Sequence, residues 1–245
     1  MTEKGTFDIL VLNGRPASGK SEIIDYLKHC DLADRKQRFH IGEFEEIDDF
    51  PILWTWFEED DLLQKMGYPR LHSDQDGYFT ERYLWHLLIQ CMCFDYHKRI
   101  DRIPDYHKST TTIIEFSRGS EHGGYREAYQ YLTTEVVQRT ALLYLDVPFS
   151  ESLRKNRKRF NPDRPDSILE HGLSDEKLEC LYKDVDWHEL TSQDPANIMI
   201  QGVKVPYVIF ENEDDVTTER GEALGDRLEQ RLGLLWKRWQ QKHQA

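Results

Sequence analysis

The residues best suited to chemistry stand near the start of the chain. Gly14-Arg15-Pro16-Ala17-Ser18-Gly19-Lys20-Ser21 has the spacing G-x-x-x-x-G-K-[ST]. Each position has a separate chemical use. Gly14 and Gly19 let the backbone bend until successive N–H groups face one point, and the positive end of a following helix adds to that anion nest. Lys20 is placed to reach β- and γ-phosphates, and the Ser21 hydroxyl to complete a Mg²⁺ shell. Arg15, Pro16, Ala17 and Ser18 supply the rest of the phosphate-contacting backbone.

Other candidates lie at the ends of β-like runs. Thr110–Phe116 places Glu115 where an acid could hold Mg²⁺, directly or through water, and Arg118 follows beside Gly119 as a cation for a substrate. Gly42–Phe50 concentrates carboxylates. A general base for an acceptor hydroxyl is expected among Glu43, Glu45, Glu46, Asp48 and Asp49, with Glu46 and Asp48 ahead because they lie later in the strand. The segment Phe149–Arg159 is densely basic in a chain with 32 Lys and Arg against 45 Asp and Glu, net −13. Arg154, Arg157 and Arg159, with Arg164 in the Pro-containing loop beyond, can present planar guanidinium forks to a transferring phosphoryl group. Arg82 and Tyr83 follow a loop and are the better substrate candidates of an aromatic-rich stretch, Phe50–Tyr106, whose helical spacing otherwise reads as core packing.

These residues need elements to hold them. Five β-like runs are predicted at Phe7–Leu12, Arg38–Ile47, Thr110–Phe116, Ala141–Val147 and Val205–Phe210. Helices are predicted at Ser21–Cys30, Trp54–Met66, Phe79–Ile103, Tyr125–Gln138, Ser150–Arg159, Ser174–Lys183 and Glu222–Gln241, the last carrying a 3.6-period stripe from Leu224 to Trp239. Gly67–Tyr78 and Asn161–Asp166 read as loops. Strands alternating with helices predict βαβ crossovers and a parallel sheet in a three-layer α/β/α domain. At 245 residues one domain spanning 1–245 is expected, with a helical substrate-side insertion at 50–108 and a lid at 150–186.

The phosphate-loop pattern, the strand before it, the basic segment and the Glu211-Asn212-Glu213-Asp214-Asp215 turn after the last strand together resemble the nucleoside and nucleotide kinase group of the P-loop NTPase superfamily. That resemblance implies a sheet order 2-3-1-4-5, a base-side contact from Asn212, and ATP with Mg²⁺ as cofactors. A narrower similarity is to deoxynucleoside kinases. Leu62–Tyr68 and Tyr78–Tyr83 look like that family's substrate-side helices, and Glu115-Phe116-Ser117-Arg118 resembles its Glu-Arg-Ser strand end. Here Phe116 and Ser117 separate acid from arginine, and Glu81 stands where the family has glutamine.

The expected activity is therefore ATP-dependent transfer of the γ-phosphate to a small acceptor, a nucleoside or nucleotide by resemblance. A P-loop ATPase acting on a protein partner is the alternative, although no strong apolar strand ends in Asp-Glu. A GTPase switch is disfavoured because no Asn/Thr-Lys-x-Asp signature follows a strand. The acidic balance argues against coating nucleic acid, and no run approaches 18 uncharged apolar residues, so no membrane span is expected. Four dispersed cysteines and an N-terminal region without an apolar segment predict free thiols in a cytoplasmic protein, and a homodimer is compatible with this reading. A zinc site is not expected, because neither Cys-x-x-Cys nor His-Glu-x-x-His occurs.

Overall fold

The structure is a computed structural model describing residues 5–159 and 172–244, with side chains described to residue 242. Its described residues form a sheet of six strands: β1 (Ile9–Gly14), β2 (Glu43–Asp48), β3 (Thr110–Phe116), β4 (Thr140–Asp146), β5 (Asn197–Ile200) and β6 (Val203–Glu211). The order is β2-β3-β1-β4-β6-β5, with every pair parallel except β5 against β6. The predicted order 2-3-1-4-5 is thus recovered, with β6 in the place of the fifth strand.

The extra strand corrects the prediction of five parallel strands. Asn197–Ile200 is only four residues long and joins β6 through Gln201 and Gly202, both at positive φ (50° and 79°). That is the two-residue hairpin geometry whose twist matches paired strands. The Gln201 amide fixes the turn by donating to the carbonyls of Tyr129 and Leu132.

The helices are α1 (Lys20–His29), α2 (Leu32–Phe39), α3 (Asp49–Lys65), α4 (Tyr83–Arg102), α5 (Gly124–Gln130), α6 (Thr134–Arg139), α7 (Phe149–Arg159), α8 (Asp175–Tyr182), α9 (Trp187–Thr191), α10 (Val216–Glu219) and α11 (Glu222–Gln244). Among the described residues no helix is long and apolar enough to cross a membrane. The four cysteines form no disulfide.

Side-chain alternation on the central strands builds two cores. Ile9, Val11, Ile114, Phe116, Leu142 and Tyr144 pack with α4, α5 and α6 on one face. Leu10, Leu12, Ile113, Leu143 and Leu145 pack with α1, α2 and α11 on the other, where Leu224, Leu228, Leu232 and Leu235 are fully buried. The three-layer expectation therefore holds.

Three boundaries differ for identifiable reasons. Arg38 and Phe39 end α2 instead of starting a strand, because Phe39 and Arg35 share its buried face and His40 turns the chain at φ 57°. Arg35 is pinned by bonds to the carbonyls of Gly42 and Leu27. Helix α3 starts at Asp49, earlier than predicted, since the Asp48 carboxylate caps the Phe50 N–H at 3.0 Å and Pro51 sits in the tolerant first turn. The predicted helix Tyr125–Gln138 is two, α5 and α6, separated at Tyr131–Thr133, where Thr133 is extended.

Candidate functional site

The phosphate loop connects β1 to α1. Ala17 at φ 56° and Gly19 at φ 111° curl its backbone, the conformation that turns successive amides toward one anion. Gly19 is also sterically required, because a Cβ there would lie 2.6 Å from Thr217 Oγ1 and 2.8 Å from Asn212 Nδ2. The loop is braced from below. The Tyr125 hydroxyl accepts from the Gly14 N–H at 3.0 Å and donates to its carbonyl at 3.1 Å, and Ser152 Oγ donates to the Pro16 carbonyl. The Arg15 guanidinium donates to the carbonyls of Val147, Tyr182 and Lys183, so its side chain fastens the loop to neighbouring segments.

Lys20 is buried, and its Nζ donates to Ser117 Oγ at 2.8 Å and to the Arg15 carbonyl at 3.2 Å. Burial lowers its pKa, while Glu115, Asp48 and Asp49 act in the opposite direction. Asp48 and Glu115 are register partners on β2 and β3. Burial, then the charges of Glu115 and Asp49, push Asp48 up to about 8. Burial likewise raises Glu115, against the pull of Lys20.

From this point a cleft of about 1570 Å³ opens. Its donor side is bordered by Lys20, Ser21, Lys155, Lys158 and Arg159. Its opposite side is walled by Trp54, Phe57, Tyr78, Phe79 and Trp85. These aromatics border a cleft, which corrects the expectation that helical spacing placed them in the core. Asp60 anchors that wall: its fully buried carboxylate accepts from the N–H groups of Leu71, His72 and Ser73 and from Ser73 Oγ.

The structure sorts the predicted site residues. It gathers Gly19, Lys20, Ser21, Glu46, Asp48, Glu115, Arg118, Arg82 and Arg159 around the cleft. Glu46 is held by Lys28 at 2.5 Å, whereas Asp48 sits beside Glu115. Arg118 is buried and bound to Asp49 at 2.6 Å, and Arg82 pairs with Glu127.

Four expected site residues stand elsewhere. Arg154 pairs with Glu151 and Asp215, and Arg157 with Asp175. Both lie outside the cleft lining with their guanidinium groups committed to these carboxylates, Arg154 sharing Asp215 with Lys155. Tyr83 turns its ring to solvent, 61% exposed, at the start of α4. Asn212 is fully buried behind the phosphate loop, donating to the Ser18 carbonyl and Thr217 Oγ1 at 2.8 Å each, so its amide braces the loop. Arg164 and the loop 161–166 lie outside the described residues.

Sequence reasoning missed Lys155, whose buried ammonium meets Asp215 Oδ1 at 2.7 Å and Thr217 Oγ1 at 3.1 Å and so ties α7 to the segment behind the loop. The i, i+4 relation between Lys155 and Arg159 was the signal that could have found it. It also missed His122, which borders the cleft and which no motif marks.

The residues fit a Mg²⁺-bound nucleoside triphosphate. The loop is a cradle that a Cβ at Gly19 would spoil, and the buried Glu115 Oε2 near Lys20 has no hydrogen-bond partner among the described residues. Unpaired buried acceptors are costly unless a ligand uses them.

No family model and no curated protein matches the chain. Among solved structures, a sugar kinase from Janibacter sp. HTCC2649 is 15% identical, covering 93% of this chain and 95% of its own, with a TM-score of 0.44. A thymidylate kinase from Candida albicans is 15% identical over 91% and 93%, with a TM-score of 0.42. A shikimate kinase from Acinetobacter baumannii is 15% identical over 71% and 75%, with a TM-score of 0.32. Superpositions this loose assign neither activity nor substrate, so the reading of the site rests on the chain's own residues. By its loop between β1 and α1 and its strand order, the chain has a P-loop kinase-like α/β fold.

Proposed function

We propose that this protein is an ATP-dependent phosphotransferase that moves the γ-phosphate to a hydroxyl on a small acceptor. One observation carries the reading: Lys20, Asp48 and Glu115 converge where the phosphate loop meets an aromatic-walled cleft. An enzyme that only hydrolysed ATP would need no second compartment of this kind beside its phosphate site.

The roles follow from position. The loop amides and Lys20 hold the β- and γ-phosphates, and Arg159 at the end of α7 meets charge on the transferring group. Ser21 and Glu115 would hold Mg²⁺, which neutralises phosphate charge when bound. Asp48 takes the proton of the acceptor hydroxyl as that oxygen bonds the γ-phosphorus and the bond to the bridging oxygen breaks, leaving ADP. Burial and the neighbouring carboxylates raise Asp48 to about 8, so at neutral pH it mostly holds a proton; Mg²⁺ held at Glu115 would offset that repulsion and leave the carboxylate free to accept the hydroxyl proton. Lys155 and Asn212 keep α7 and the loop in register, and Asp60 keeps the aromatic wall in place.

The reading is tested by incubating the protein with Mg²⁺, γ-labelled ATP and pools of small hydroxyl compounds. A labelled small product that disappears in Asp48→Asn supports it. Hydrolysis of ATP that no pool diverts from water contradicts it.

A further inference from the structure

The phosphoryl-transfer roles above leave one buried imidazole unused. His122 closes the turn Ser120–His122 and is 2% exposed. Its ring stacks on Trp85 with centroids 3.7 Å apart and 17° between planes, and Tyr182 meets it edge-on at 5.2 Å. All three side chains border the cleft. Among the described residues, neither Nδ1 nor Nε2 has a hydrogen-bond partner. Burial, with Arg118 and Arg82 adding to it, pushes the imidazole pKa down to about 3. A neutral imidazole carries one N–H donor and one acceptor nitrogen, and here both are withheld from water and from protein. Beside it, Arg118 uses its terminal nitrogens on Asp49, the Ser117 carbonyl and the Trp85 carbonyl, yet its Nε is buried without a partner.

Charge narrows what could meet these groups. The guanidinium of Arg118 is committed to Asp49 and that of Arg82 to Glu127, both at 2.6 Å. The Lys177 ammonium lies over the Tyr78 ring at 4.9 Å. The carboxylates of Glu58 and Glu121 also border the cleft, as does that of Asp61, itself paired with Arg70 at 2.6 Å. A phosphate on the acceptor would face these carboxylates with the neighbouring guanidinium groups already neutralised.

We propose that His122, with Arg118 Nε and the Trp85 indole, is a recognition floor for an uncharged hydroxyl-bearing acceptor, and that the cleft rejects acceptors that already carry a phosphate. The inference rests on the phosphotransferase reading and adds to it the class of the second substrate. His122 is a specificity residue here: it hydrogen-bonds the body of the acceptor and has no part in holding ATP. Its unsatisfied nitrogens reduce the stability of the unliganded protein and discriminate among ligands, since a molecule that cannot pair them leaves them buried and unpaired.

The test is a thermal-shift series on the full chain with Mg²⁺ and adenylyl imidodiphosphate. The probes are a set of uncharged polyols, sugars and nucleosides, and the phosphate monoesters of the same compounds. The expected result is that an uncharged probe raises the melting midpoint above that with the analogue alone and its monoester does not. In His122→Phe, which keeps the stack on Trp85, the analogue's shift persists, the probe's affinity falls by at least about tenfold, and the unliganded midpoint is no lower than wild type. His122→Gln, which restores a donor and an acceptor, recovers part of the probe affinity and carries the test should the Phe variant not fold.

Four results overturn the proposal: a monoester that stabilises as well as its parent, unaltered probe binding in both variants, a lowered unliganded midpoint in a His122→Phe variant that folds, or no probe acting on wild type while the analogue still does. If the analogue itself fails to stabilise wild type, the phosphotransferase reading falls, and this inference falls with it.

Discussion

Asp48 and Glu115 face each other across the β2–β3 pair at the same register position, beside the buried ammonium of Lys20. Burial makes ionisation of both carboxyls harder, and nearby carboxylates add to it, Glu115 and Asp49 at Asp48 and Asp49 and Glu46 at Glu115. Asp48 is thereby pushed up to about 8, and Glu115 is raised as well. A divalent cation or a nearby phosphate-bound metal would relieve that repulsion, which makes the pair a natural place for Mg²⁺-dependent chemistry.

Glu115→Gln therefore is expected to raise the Mg²⁺ concentration for half-maximal rate by about tenfold or more, the range seen when a metal-supporting group is lost. The substitution keeps size and removes charge. A Mg²⁺ titration identical to wild type would return Glu115 to a structural role.

The basic helix makes a second prediction because only some of its cations line the cleft. Arg154 and Arg157 are tied to Asp215 and Asp175 outside the cleft, so Arg→Lys at either is expected to leave single-turnover transfer within about twofold, as for exposed ion pairs. Arg159→Lys is expected to slow transfer by on the order of a hundredfold while changing ATP dissociation little, since loss of a transition-state donor acts on the chemical step. Equal effects at all three positions would mean that α7 does not present Arg159 selectively.

Much of this was legible in the sequence. The phosphate loop and the stripe on α11 follow from local spacing, which one chain segment carries by itself, whereas the order of the sheet was implied only by the resemblance to nucleoside and nucleotide kinases. What was not legible depends on which distant groups meet. A basic run shows that cations are plentiful, but only the packing of α7 shows that Asp215 takes both Arg154 and Lys155 and that the Lys155 ammonium is buried against Thr217. Aromatics at helical spacing fit a core as well as a cleft wall, and Trp54 and Phe57 became cleft wall because Asp60 holds residues 71–73 against α3. Asn212 sits where a base contact was implied, yet its amide donates to the loop carbonyl of Ser18 and to Thr217 Oγ1 on α10. The four-residue β5 was hidden by its brevity, although Gln201-Gly202 is a hairpin signal.

Asn212→Ala is expected to weaken use of ATP and GTP alike and to cost about 1–3 kcal/mol of stability, because it strands the Ser18 carbonyl and the Thr217 N–H. Urea denaturation and paired nucleotide titrations check both parts. A change in the ATP-to-GTP ratio without loss of stability would restore the base-reading role.

Asp60 supplies a pH prediction. Burial alone would raise its carboxyl, but bonds from Leu71, Ser73 and His72 outweigh it and hold the pKa below its ordinary 3.8. A depressed folded pKa contributes stability above the unfolded value and loses it as pH falls through the folded one. Asp60→Asn is thus expected to destabilise the protein by about 2–3 kcal/mol near neutrality, by loss of bonds to a charged acceptor, with the gap from wild type narrowing as pH drops below about 4. A gap independent of pH would contradict the account of this anchor.

The most direct measurement is transfer of labelled γ-phosphate to a small acceptor by wild type and by Lys20→Ala, each shown to be folded by its circular dichroism. The predicted result is a labelled small-molecule product from wild type and a loss of at least about a hundredfold in Lys20→Ala, with the fold retained. Near-native transfer by Lys20→Ala, or ATP hydrolysis that yields only free phosphate and responds to no acceptor, would contradict the assignment.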